Sequence, residues 1–267
     1  MVIRAGVAGH PIDHSRSPAI HRYWLERFGI EGTYEAFDPG QADEGFAALV
    51  SRLASEGYVG LNVTMPFKAA ALVLADEAEE TARRVGGANT LTFRDGCVRA
   101  ANTDGAGFAA ALAAHAAPPA RALVLGAGGT APSVLAALEG AEVLLANRTE
   151  ARAAALAARF GARVIPWDER EAAASDVSLV VNATPLGLRE GDPLPIDPAA
   201  LTDGTCVADC VYAFGETPLV RAARARGLTS FDGFFMLVAQ AAPGHEAWFG
   251  SRIDEGLVAE TVAALRP

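Results

Sequence analysis

The sequence predicts an α/β protein of two successive α/β domains, the first built on a mainly parallel mixed sheet. Three observations lead there. Apolar runs alternate with alanine-rich helical stretches along the chain, the alternation of sheets covered by helices. The pair Pro118-Pro119 interrupts it, and a fresh β-α-β-α-β order begins beyond. No apolar run approaches the roughly 18 residues of a membrane span, so the 51% of hydrophobic residues belong to a folded core.

In chain order, the first domain pairs RAGVAG with the helix SPAIHRYWLERFG, GTYEAFD with DEGFAALVSRLASEG, and YVGLNVT with PFKAAALVLADEAEETARR. Two more strand-like pieces, ANTLTFR and GCVRAAN, flank Asp95-Gly96, a strong hairpin-turn dipeptide. NTDGAGFAAALAAHAAPPA predicts a helix from Asp104 to about His115 that bridges the two domains and is stopped by the prolines. The second domain runs RALVLGAG, GTAPSVLAALEG, AEVLLANR, TEARAAALAARFG, ARVIP, VSLVVNATP and TCVADCVYA. The tail, from GFFMLVAQAAPGHEAWFG to VAETVAALRP, reads as helices packing back on the first domain. The expected boundaries are 1–103 completed by 236–267, and 104–235.

A net charge of −10 argues against a nucleic-acid partner, which selects for a basic face. Cys97, Cys206 and Cys210 lack the number and spacing of a disulfide framework or a zinc site, and read as small buried or half-buried side chains. His10, His14 and His21 lie near Asp13, but Pro11 and Pro18 break the regular spacing of a helical site; no metal is expected. The opening MVIRAGVAGHPIDHSRSP has no long apolar stretch ahead of a small-residue cleavage site, so the expected location is cytoplasmic, without a membrane partner. Among 22 Lys and Arg residues, Lys68 in LNVTMPFKAA is the single lysine. A general preference for arginine explains the missing lysines elsewhere. Arginine is always charged, whereas an ammonium can release its proton, so a lysine kept here points to a place where guanidinium fails.

GAGGTA, running Gly126, Ala127, Gly128, Gly129, Thr130 and Ala131, follows the apolar strand ALVL and opens a helix. Glycines in that setting let backbone amides approach a pyrophosphate at a helix N-terminus, where the macrodipole favours negative charge. The next strand ends Asn147-Arg148-Thr149, with Arg152 following. An Asp or Glu there would hydrogen-bond the ribose hydroxyls of NAD. Two guanidiniums stand instead, able to give a phosphate charge-assisted hydrogen bonds worth about 1.5–3 kcal/mol each. A Rossmann-like domain that binds NADP is the expectation.

Four polar clusters in the first half, SRSP at 15–18, NVTMPFK at 62–68, GGANT at 86–90 and NTDG at 102–105, each stand at the end of an expected strand. Ligands of open α/β sheets gather outside such ends. Singly, Asn62, Asn89 and Asn102 could cap turns; sharing one rim with Lys68 and Asp104 favours ligand binding.

With GAGGTA, these motifs resemble the shikimate dehydrogenase family, from Gly9 almost to the C-terminus. The resemblance implies reversible, NADPH-dependent reduction of 3-dehydroshikimate to shikimate in aromatic amino-acid biosynthesis. It implies Ser15 and Ser17 on the substrate carboxylate, and Asn62, Thr64, Asn89 and Asp104 on the ring hydroxyls. Tyr212 in DCVYAFGETPL and Gln240 in MLVAQA would complete the pocket. GAGGTA would hold the pyrophosphate and NRTEAR the adenosine 2′-phosphate, with Gly233 in DGFFML and the segment NATPLG near the nicotinamide half. Ser17 in place of threonine, and Arg148 in place of an acidic residue, resemble the shikimate and NADP branch more than the quinate and NAD branch.

The implied reaction sends hydride to the ring carbonyl carbon and a proton to the developing alkoxide. Lys68 is the expected donor, and the acceptor on oxidation, with the Asp104 carboxylate raising its pKa and burial lowering it. A small-molecule substrate is the expected partner; a monomer and a homodimer both stay open. Two other readings stay open: a quinate/shikimate or aminoshikimate dehydrogenase, and a non-catalytic NADP-binding sensor on the same fold.

Overall fold

A computed structural model describes residues 2–189, 191–212 and 215–266. The chain divides into two compact units, one ending at Thr103 and resumed at Gln240–Leu265, the other running Asp104–Ala239 and including Arg266. Among the described residues, no helix is long and apolar enough to cross a membrane.

The first unit contains β1 (Ile3–Ala8), α1 (Ser17–Phe28), β2 (Gly32–Phe37), α2 (Asp43–Ser55), β3 (Gly60–Val63), α3 (Lys68–Leu74), β4 (Glu77–Ala78), α4 (Glu80–Val85), β5 (Thr90–Arg94) and β6 (Cys97–Ala101). The strands lie in the order β2-β1-β3-β5-β6-β4. β1 is parallel to β2 and β3, and β4 to β6, whereas β5 is antiparallel to both of its neighbours. Phe46 of α2 and Phe67 stack at 4.8 Å and 2° in its core, alongside Leu53, Leu61 and Leu91, none of them exposed. Helix α1 exposes little of Trp24, whose Nε1 donates to Thr261 Oγ1 at 2.8 Å in the C-terminal segment.

The stretch PFKAAALVLADEAEETARR, expected as one helix, is two helices separated by β4. Backbone N–H groups of Asp76 and Glu79 donate to Val98 O and Ala100 O, and Asp76 Oδ2 accepts from Val98 N at 2.8 Å. These bonds draw the chain to the sheet at Asp76, and a helix cannot continue through residues whose backbone is engaged there.

The second unit contains α5 (Asp104–Ala113), β7 (Arg121–Leu125), α6 (Ala131–Ala137), β8 (Glu142–Ala146), α7 (Glu150–Phe160), β9 (Arg163–Ile165), α8 (Arg170–Ala173), β10 (Leu179–Asn182), β11 (Cys206–Asp209), α9 (Pro218–Ala225) and β12 (Ser230–Phe231). Its sheet, β12-β11-β10-β7-β8-β9, is parallel throughout. Leu123, Val124, Leu125, Val180 and Val181 have no exposure, as strands covered on both faces require. Strand order reverses between β7 and β10, the switch point beside which open α/β sheets take ligands. The expected strands of this unit are present; β12, two residues long, is additional. The tail forms α10 (Gly233–Phe249), within which the chain leaves the second unit for the first, and α11 (Glu255–Leu265).

Candidate active site

In the first unit, Val7 aligns with Asn62, Asn62 with Thr90, and Thr90 with Ala101, so the ends of β1, β3 and β6 and the start of β5 share one rim of the sheet. GGANT therefore precedes its strand and does not follow one as expected; the antiparallel run of β5 still brings it to the common rim.

The asparagines there are joined to one another. Asn62 Nδ2 donates to Asn89 O at 3.1 Å and Thr90 Oγ1 at 3.2 Å, while its Oδ1 accepts from the Tyr34 hydroxyl at 2.6 Å. With both amide hydrogens engaged, Asn62 can offer a ligand only an acceptor. Asn89 Nδ2 donates to Thr103 Oγ1 and Gln240 Oε1, each at 2.9 Å, and its Oδ1 accepts from Thr103 N at 2.9 Å and the Thr90 hydroxyl at 3.0 Å. Asn89 thus fastens the start of β5 to the end of β6 and to α10. Asn62, Asn89 and Gln240 are 5%, 2% and 8% exposed, so their amides are partnered inside the protein, as buried polar groups must be.

Ser15 and Ser17 stand on the turn that enters α1, where Ser15 Oγ accepts from Ser17 N at 3.4 Å. Thr64 extends the β1–β3 pairing by donating its N–H to Ala8 O at 2.9 Å. Lys68 is the first residue of α3 and is half-buried. Its position is fixed by the buried, stacked ring of Phe67 before it and by its own carbonyl, which accepts from Ala88 N at 2.8 Å. Asp104, 6% exposed, opens α5 in the second unit, where a carboxylate at a helix N-terminus complements the dipole. Tyr212 is half-buried in the same unit, its ring 6.2 Å from that of Phe234.

The glycine loop of the second unit follows β7. Gly126 has φ of 104°, and a Cβ there would lie 2.8 Å from the carbonyl of Ala183. A side chain is excluded by both conformation and space, which leaves a bare backbone turn before α6. Ala127 N donates to Asn147 Oδ1 at 3.0 Å, and Asn147 Nδ2 donates to Thr149 O at 2.7 Å. Asn147 therefore ties this loop to the turn after β8, where Arg148, Thr149 and Arg152 are exposed. A bare-amide turn with two exposed guanidiniums on the next strand's exit fits a dinucleotide bearing an additional phosphate. Gly233 is required for a different reason: a Cβ there would stand 2.4 Å from Cys210 O, and its N–H donates to Val211 O at 3.0 Å.

Comparison with known proteins gives matches in both units. The family pattern described as shikimate dehydrogenase substrate binding domain matches residues 7–91, and that described as shikimate / quinate 5-dehydrogenase matches residues 110–186. The protein named shikimate dehydrogenase (NADP(+)) of Acidiphilium cryptum (strain JF-5) is 49% identical over 267 residues, covering 98% of this chain and 96% of its own. The chain belongs to the shikimate dehydrogenase family. Among solved structures, shikimate 5-dehydrogenase from Thermus thermophilus in complex with NADP(H) and shikimate superposes with a TM-score of 0.89 at 36% identity, over 98% of this chain and 99% of that one. Quinate dehydrogenase from Corynebacterium glutamicum in complex with NAD superposes with a TM-score of 0.90 at 31% identity, over 99% of each chain.

Several polar groups of this shikimate dehydrogenase family member receive no role from the sequence motifs. His21 and His245 are fully buried, with their Nδ1 atoms 3.1 Å apart, and the His21 ring stacks on Tyr34 at 3.9 Å and 5°. Burial lowers the pKa of both imidazoles, that of His245 to about 4. In the second unit, Asp209, 1% exposed, accepts from Asn182 Nδ2 at 2.8 Å, Val211 N at 3.1 Å and Thr217 Oγ1 at 2.7 Å. It ties the end of β10 to the segment bearing Tyr212 and to the start of α9. Burial pushes its carboxyl up to about 6 against those three donors. Burial also raises the Cys210 thiol, as do the Asp209 and Asp104 carboxylates, which disfavours its thiolate. An isolated Asp or His inside an apolar run has no spacing pattern by which sequence reading could single it out.

Proposed function

We propose that this protein catalyses the reversible reduction of 3-dehydroshikimate to shikimate with NADPH. The observation that carries the reading is the joined rim of the first unit, where Asn62, Asn89 and Gln240 form one buried hydrogen-bonded array on the strand-end side that also bears the sole lysine. Such a rim recognises a polyol, and amides paired to one another hold their geometry before the substrate arrives.

Ser15 and Ser17 donate their hydroxyls to the substrate carboxylate. Asn62 Oδ1 accepts from a ring hydroxyl, since its amide hydrogens are already engaged. Asp104 accepts from another. NADPH would be held by the amides of Gly128–Thr130 and by Arg148 and Arg152 at its 2′-phosphate, and would supply the hydride when bound. Lys68 gives its Nζ proton to the alkoxide oxygen on reduction and takes it back on oxidation, a contribution of about 10²–10⁴ in rate.

The similarity to a quinate dehydrogenase structure keeps a second substrate in view, and the exposed Arg148 and Arg152 weigh against its NAD. Purified protein supplied with shikimate or quinate, each with NADP⁺ or NAD⁺, and followed at the reduced-nicotinamide band, tests both. Shikimate with NADP⁺ is expected to give kcat/KM at least about tenfold above any other pair, the effect of one good charge-assisted contact. Faster turnover of quinate would overturn the substrate assignment, and binding without turnover would make the protein a sensor.

A further inference from the structure

Tyr34 belongs to no sequence motif and lies on β2, the outermost strand of its sheet, yet it is only 6% exposed. Its hydroxyl reaches past β1 to donate to Asn62 Oδ1 on β3 at 2.6 Å. Burial raises the phenol's pKa well above its ordinary value. A phenol so placed stays neutral and keeps its hydrogen for donation. The ring itself is held: it stacks on His21 at 3.9 Å, and His21 is in turn fixed by His245 at 3.1 Å and by the edge of Trp24 at 5.5 Å between ring centres.

Asn62 is the side chain assigned above to a ring hydroxyl of the substrate. We propose that Tyr34 is a positioning residue for that substrate, its buried hydroxyl fixing Asn62 Oδ1 as an acceptor. The inference rests on the shikimate reading and deepens it. Without the phenolic hydrogen, the Asn62 amide keeps its two donor bonds, but its oxygen loses the 2.6 Å bond and the group can turn away. The fraction of molecules presenting the acceptor then falls, and the apparent affinity falls by the same factor.

The test is Tyr34→Phe in the full chain, which removes one oxygen and keeps the stack on His21. Turnover of shikimate by the unaltered protein is measured first; its absence counts against the function, not against Tyr34. The expected result is a KM for shikimate raised about tenfold, as for one lost bond to a buried acceptor, with kcat within about threefold and KM for NADP⁺ unchanged. Asn62→Ala alone and combined with Tyr34→Phe is expected to give a joint effect on KM smaller than the product of the separate ones. An unchanged KM overturns the proposal, as do independent effects in the double variant. A fall in kcat matching the rise in KM, or a Tyr34→Phe protein that does not fold, also overturns it, because Tyr34 would then serve the fold and not the substrate.

Discussion

Replacing His245 by Phe is expected to flatten the acid side of the stability profile. His245 is fully buried, its Nδ1 3.1 Å from His21 and its Nε2 3.0 Å from Ser251 Oγ, with the rings of Trp24 and Phe249 centred 5.1 Å and 4.7 Å away. Burial lowers its pKa from 6.5 to about 4, and burial followed by repulsion from His245 lowers that of His21. Between those values the unfolded chain carries a proton on residue 245 that the folded chain refuses. Stability from this group is therefore fully present above pH 6.5 and lost as the pH falls toward 4. At 1.36 kcal/mol per pKa unit, the loss amounts to about 3 kcal/mol. Phe fills the same aromatic surroundings without a titrating nitrogen. Denaturant unfolding of both proteins from pH 7.5 down to about 4 reads the difference. Asp209, with its carboxyl raised to about 6, has the opposite slope, because the folded state holds the extra proton; it is present in both proteins and cancels. The stability of the unaltered protein relative to His245→Phe should fall by about 3 kcal/mol over this range. A gap constant to within about 1 kcal/mol would refute the reasoning.

Two further outcomes follow from the assigned roles. Lys68→Arg keeps the charge but loses transferable acidity, so turnover should fall by about 10²–10⁴ with little change in NADP⁺ affinity; retention of more than about a tenth would remove the acid-base role. Arg148→Asp places a carboxylate where a 2′-phosphate would bind, and the NADP⁺ to NAD⁺ ratio of kcat/KM should drop at least about tenfold; an unchanged ratio would remove the phosphate contact.

The α/β class and the parallel second sheet are legible because β7, β8, β10 and β11 are apolar runs largely buried on both faces, bounded by glycine or amide turns. β4 and β12 are not legible: each is two residues long and is defined by the neighbour it pairs with. The antiparallel run of β5 is likewise hidden, since pairing direction leaves no mark on a strand's own composition, although Asp95-Gly96 signals the hairpin that reverses the chain. In the candidate site, the four polar clusters are legible because they interrupt apolar runs. Tyr34 and the His21–His245 pair are not, since their partners lie 28 and 224 residues away. Sequence also cannot separate a side chain that touches a ligand from one that positions its neighbours. Asn89 and Asn147 make that plain, because the protein itself engages their amides.

The lone lysine at the start of α3 has a practical consequence. Lysine labelled with ¹⁵N enters this chain at one position, so a single side-chain Nζ resonance reports on residue 68 with no assignment problem. Its chemical shift, followed as pH, shikimate and NADP⁺ are varied, gives the charge on that amine in the unmutated enzyme. The proton whose transfer the reaction requires can then be observed on the atom that carries it.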